Sequence, residues 1–132
     1  MRFLIAPITA ALLLSALLLS ACGDEATPPA KTGALTVLAT IAPDPPKVGQ
    51  NTLMITVKSS DGSLLEGATI TVDPQMPMHG HGSSETAKIV EKGQGVYEAI
   101  PVTLQMPGKW EVTVSATKEK LTGTALLKFD VL

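Results

Sequence analysis

Lys109-Trp110-Glu111-Val112-Thr113-Val114-Ser115-Ala116-Thr117 decides the fold. Successive side chains of a strand point to opposite sides. Trp110, Val112, Val114 and Ala116 therefore share one apolar face, and Glu111, Thr113 and Ser115 share a polar one. A half-apolar strand must pair and pack with others of its kind. Leu121 to Leu132 follows, with Ala125, Leu127, Phe129 and Val131 on one face. Val96 to Leu104 precedes, with Tyr97 and Ala99 on one face and Val96, Glu98 and Ile100 on the other. Pro101 marks an edge position or a bulge there, because proline has no N–H to give to a ladder.

The same texture continues towards the N-terminus. Thr86 to Val90 reads as a strand, and Thr69 to Val72 as a short β-branched one. Asn51 to Lys58 sets Leu53, Ile55 and Val57 on one face. Leu35, Val37 and Ala39 alternate in a first strand that Pro43-Asp44-Pro45-Pro46 ends. Turn signals separate the strands: Asp61-Gly62 as a hairpin turn, Lys92-Gly93-Gln94-Gly95, Met106-Pro107-Gly108 and Lys118 to Lys120. No helical periodicity survives after residue 33. About seven short strands around one Trp predict an all-β, immunoglobulin-like antiparallel β-sandwich over residues 34–132. Trp110 and Tyr97 are assigned to its core.

Residues 1–33 stand apart from this domain. Met1-Arg2 and the apolar run Phe3 to Leu19 read as a secretory leader, somewhat short for a spanning helix. Leu19-Ser20-Ala21-Cys22 resembles the lipobox of bacterial lipoproteins, so residues 1–21 are expected to be a lipoprotein signal peptide and Cys22 the lipidated residue. Gly23 rather than Asp follows the cysteine, which in Gram-negative lipoproteins favours the outer membrane, facing the periplasm. Residues 22–33 read as a flexible tether with Pro28 and Pro29.

Of the ten basic residues one, Arg2, falls in the leader, so the remainder carries a net charge of −3 against twelve acidic residues. No basic patch offers itself to nucleic acid. With a single cysteine no disulfide forms within the chain, so the core must hold the domain. No Ser-His-Asp order and no glycine-rich phosphate loop points to an enzyme, although Ser83, Ser84 and Glu85 lie close together.

Chemistry gathers instead in Met76-Pro77-Met78-His79-Gly80-His81-Gly82. It holds both histidines and two of the five methionines, with no charged residue. Thioether sulfur and imidazole nitrogen suit soft or borderline metals, Cu(I) above all. The stretch lies in a connection, Pro74 to Ser84, longer than the roughly two to five residues usual in a hairpin. Long connections on a rigid scaffold are often functional.

Three segments together resemble a known family: Met76-Pro77-Met78-His79-Gly80-His81-Gly82, then Gly93-Gln94-Gly95-Val96-Tyr97-Glu98, then Met106-Pro107-Gly108-Lys109-Trp110-Glu111. They are similar to the YtkA-like, or FixH-like, periplasmic domain, whose motif runs Met-Pro-x-His-Gly-His-Gly, Gly-x-Gly-x-Tyr and Met-Pro-Gly-x-Trp. The resemblance implies an exported, often membrane-tethered immunoglobulin-like sandwich. FixH-type members lie near copper delivery to respiratory oxidases. The chain departs from them in carrying a lipoprotein signal in place of a transmembrane helix.

A site of Met76, His79, His81 and Met106 is geometrically open if the Met106 turn lies at the same end of the sandwich as the histidines. Met78 falls at the variable position of the motif and stands behind these four. Cu(I) is the expected ion, with Ag(I) as a mimic; zinc prefers Cys, His and carboxylate. Imidazole binds metal only when deprotonated, so affinity is expected to fall below about pH 6. Two roles follow. One is a copper-handling lipoprotein acting as chaperone, buffer or assembly factor, with a periplasmic cuproprotein or a metal-efflux component as partner. The other is an envelope interaction module in which the Met/His stretch is structural or docks a partner without metal.

Overall fold

The alternation at Trp110 becomes the long strand of a two-layered sandwich. The computed structural model describes residues 34–132. Its strands are β1 (Thr36–Ala42), β2 (Gly49–Lys58), β3 (Thr69–Met76), β4 (His81–Gly82), β5 (Lys88–Gly93), β6 (Val96–Leu104), β7 (Gly108–Lys118) and β8 (Leu121–Val131). The expected leader, the Cys22 lipidation site and the tether lie outside the described residues.

All pairings between the strands are antiparallel, and the two sheets run β1-β2-β6-β5 and β4-β3-β7-β8. The sequence thus folds as the expected immunoglobulin-like sandwich. Between the sheets lie Leu53, Ile55, Val57, Tyr97, Leu104, Trp110, Val112 and Val114, all buried. These are the inward faces read from β2, β6 and β7. β8 keeps its predicted face, but only Val131 is fully buried there, because the strand forms a sheet edge. Residues Glu111 and Lys128, opposite each other on β7 and β8, form a 2.7 Å ion pair on the solvent side.

Pro101 sits at a bulge, as its chemistry requires. Asn51 faces Val102 and Leu53 faces Ala99, so β6 carries one residue more than β2 across this step. Ala99 and Val102 therefore both point inward. The buried Asn51 amide is satisfied by the carbonyls of Lys47 and Gly49.

Three expectations are modified by the structure. The connection from Pro74 to Ser84 is not one long loop. β3 continues through Pro74 and Gln75 to Met76, and His81-Gly82 returns beside it as β4, an eighth strand. Proline reads as a strand breaker only where a ladder needs its N–H. The Pro74 carbonyl accepts the Ser83 amide at 2.9 Å, so the Pro74 nitrogen faces the sheet edge and β7 loses no bond. Second, the turn at Asp61-Gly62 closes only a short hairpin, in which Lys58 bridges Leu64 and the Ser59 amide donates to the Ser63 carbonyl at 2.9 Å, and the chain then leaves for the other sheet as β3. Hydrogen bonds from Ser59 and Ser63 hold the Asp61 carboxyl down at about 2. Third, the strand expected at Thr86 to Val90 begins two residues later and runs to Gly93. Gln94 and Gly95, both at positive φ, turn it into β6. Gly95 has a second reason to be glycine: a Cβ there would lie 2.7 Å from the Leu65 amide nitrogen.

The sandwich has two distinct ends. At one, the Leu35 amide donates to the Thr122 carbonyl at 2.8 Å and Ala34 bridges Thr122, so the chain arrives against the start of β8. Thr117 and Thr69 lie in the same cross-strand rows. At the other end are the β3–β4 hairpin, the start of β7 and the close of β8.

Tyr97 closes the first end from inside. Its hydroxyl donates to the Leu65 carbonyl at 2.9 Å and accepts the Ala68 amide at 3.0 Å. Tyr97→Phe leaves both backbone groups short of a partner and is expected to cost about 1–3 kcal/mol in a urea titration. Burial, aided by nearby Glu91 and Glu66, raises the phenol above its ordinary value of 10.0. The folded state therefore holds the Tyr97 proton more tightly than the unfolded chain does. That contribution is fully present below pH 10 and is lost as pH rises through the folded value. The wild type should lose stability on alkaline titration more steeply than Tyr97→Phe. As this is the chain's one tyrosine, its ultraviolet titration reads the proton directly, and a midpoint at or below 10 would refute the assignment.

Candidate functional site

The Met/His stretch forms the tip of the β3–β4 hairpin. Pro77-Met78-His79-Gly80 is a four-residue turn whose His79 and Gly80 amides both donate to the Met76 carbonyl at 3.0 Å. Gly80 takes φ +67°, where any other side chain is strained. Met76 and His81 face each other across the two strands, which puts their side chains on the same, inward face.

Met76 enters the core and is 1% exposed. Its terminal methyl rests on Gly108, where a Cβ would stand only 2.7 Å from it. His81 is half-buried and lies edge-on to Trp110, with ring centroids 6.4 Å apart and planes at 75°. The exposed His79 ring is 5.8 Å from that of His81, tilted by 48°. Trp110 in turn donates its indole N–H to the Met106 carbonyl at 3.0 Å. Met106 itself is half-buried against the core. The two stretches that carry the candidate ligands therefore meet at one end of the sandwich, joined through Gly108 and Trp110. Met78 stands apart, 83% exposed at the tip of the turn.

The strand leaving the hairpin is tied down on the other sheet. Thr103 donates to the Glu85 carboxylate at 2.6 Å, and the Gln105 amide donates to Ser84 at 3.1 Å. Ser83, Ser84 and Glu85 thus serve as an anchor for the crossing from β4 to β5.

Sequence reasoning gave Trp110 a packing role alone. The structure gives it a second one, as the wall behind His81. No spacing in the sequence points to that role, because it follows from the register of β3, β4 and β7.

Among the described residues, no group of three or more His, Cys, Asp or Glu is placed to hold a metal ion. The candidate donors gathered at this end are thioether sulfur beside imidazole. That donor set fits a soft monovalent ion and does not fit zinc or a hard divalent cation.

Residues 31–115 match the family described as YtkA-like, a range that takes in β1 to β6 and most of β7. No curated protein and no solved structure matches the chain.

Proposed function

We infer that this chain, which belongs to the YtkA-like family, is a copper(I)-handling binding module of the cell envelope. The observation that carries the reading is the pairing of the two imidazoles, 5.8 Å apart, at the end of the sandwich where Met76 and Met106 also lie. Met76, His79, His81 and Met106 are the ligands we assign. Cu(I) is cargo in this reading: it is held, delivered or buffered, and no bond of a substrate is broken. The Leu19-Ser20-Ala21-Cys22 sequence supports a lipid anchor at Cys22, with the domain facing the periplasm from the outer membrane. A cuproprotein under assembly or a metal-efflux component is the corresponding partner.

Anaerobic titration of Cu(I) against a chromogenic chelator checks the reading. One Cu(I) per chain is expected, and the fluorescence of the chain's one Trp should fall in step with it, because Trp110 touches His81. The triple variant His79→Ala, His81→Ala, Met106→Ala is expected to bind at least roughly 100-fold more weakly, about 2.7 kcal/mol. Stoichiometric uptake by that variant would sink the site.

One observation favours a second reading. Met76 is sealed in the core and His81 leans on Trp110, so the same residues can hold the hairpin's shape for docking an envelope partner without metal. In that case the wild type takes up no Cu(I), while His81→Ala lowers the unfolding midpoint.

A further inference from the structure

We propose that Met78 is the hand-over ligand of the hairpin, the thioether that first takes Cu(I) from a donor and last yields it to an acceptor. The inference rests on the copper(I) reading above and assigns a role to a residue outside the four resident ligands. Packing does not account for Met78. Among the described residues, apart from the final one, Leu132, no large apolar side chain is as exposed; the next, Leu38 and Leu126, are 52% exposed. A turn position that faces water is ordinarily filled by Asp, Asn, Ser or Gly, which bond to the backbone or accept unusual dihedrals. Met78 does neither. It presents a soft sulfur to solvent beside the exposed His79.

The hairpin then orders its donors by depth. Met78 and His79 are exposed on the turn, His81 and Met106 are half-buried, and Met76 lies in the core. Soft-metal exchange between two proteins requires a donor that both sides can reach at once. Buried Met76 cannot meet that need, and His81 is half-buried with Trp110 behind it. Met78 can, because it is 83% exposed among the described residues. In the exchange one metal–ligand bond forms as another breaks and the metal stays Cu(I), so no oxidant or reductant is needed. The partner class this tip fits is an acceptor with an accessible thioether or imidazole of its own.

The test compares full-length wild type with Met78→Leu, purified in detergent and loaded with Cu(I). Leucine keeps the bulk and removes the sulfur. Equilibrium affinity is read by competition with bathocuproine disulfonate, and the transfer rate by stopped-flow mixing with excess of the same chelator. Affinity within about twofold of wild type and a transfer rate lowered at least about fivefold are expected, with recovery in Met78→His, which restores an exposed donor. An unchanged rate would overturn the hand-over role while leaving the four-ligand reading intact. Affinity lost along with rate would make Met78 a resident ligand and also overturn it. Absence of Cu(I) binding by the wild type would remove both readings together, and is distinguished by the affinity measurement alone.

Discussion

Trp110→Ala is expected to remove about 3–5 kcal/mol of folding stability, the usual cost of deleting a buried large aromatic side chain. Domains of this kind hold only about 5–15 kcal/mol in total, so the variant should stand near the edge of unfolding at 37 °C. Three losses combine. Trp110 is fully buried, and its indole is the largest side chain in the core. Its N–H satisfies the Met106 carbonyl at the mouth of the β6–β7 turn. Its edge also supports His81. A urea titration should show a lower midpoint with little change in slope. Trp110→Phe separates the terms, since it keeps most of the apolar bulk and loses only the hydrogen bond and part of the wall. It should cost less than the alanine variant while still weakening the Met/His end. Equal stability of Trp110→Ala and wild type would refute the packing described for β7.

Gly123→Ala should be nearly as damaging for a different reason. Gly123 has no need of an unusual backbone conformation; it needs to be thin. A Cβ at this position would stand 2.2 Å from the Leu35 carbonyl oxygen and 2.7 Å from its carbon. These are backbone atoms that no rotamer change can move. The strand must part from residues 34–35, giving up the Leu35–Thr122 hydrogen bond and the burial of Leu35. Burying a leucine contributes about 1.5–3 kcal/mol and the bond about 1 kcal/mol. Roughly 2–4 kcal/mol is therefore at stake, less whatever the loosened segment recovers. Hydrogen exchange should show the Leu35 amide losing protection while the amides of central β7 keep theirs. Protection of Leu35 equal to wild type would show that the seam tolerates the methyl group.

Much of this fold was legible from residue alternation, and the exceptions are instructive. β2 and β7 could be oriented because every second residue is apolar, and the structure buries those residues and no others on these strands, Asn51 apart. Pro101 announced its bulge. Pro74 misled, because a proline in sequence does not reveal which side of the strand its nitrogen faces. Here it faces the short edge, and β3 passes straight through it. Alternation also says which side of a strand is inward without saying which sheet the strand joins. The turn at Asp61-Gly62 was therefore visible, and the separation of β2 from β3 was not. At the site, the two histidines were found by residue type. The contact of His81 with Trp110 was not, because it depends on register. The Gln75–Glu111 pair sets Met76 and Trp110 one step further along adjacent strands, and β4 then brings His81 into the same row. No spacing in the sequence encodes that alignment.

The two ends of the sandwich have a mechanical consequence. The chain comes into the domain beside Thr122, and the hairpin lies at the far end of β3, whose eight residues span roughly 25 Å at about 3.3 Å per residue. Held by the proposed Cys22 anchor, the domain would act as a short boom with the hairpin at its far end. Pivoting at that attachment would swing the far end through an arc set by the length of β3. The hairpin at that end carries an exposed thioether, Met78.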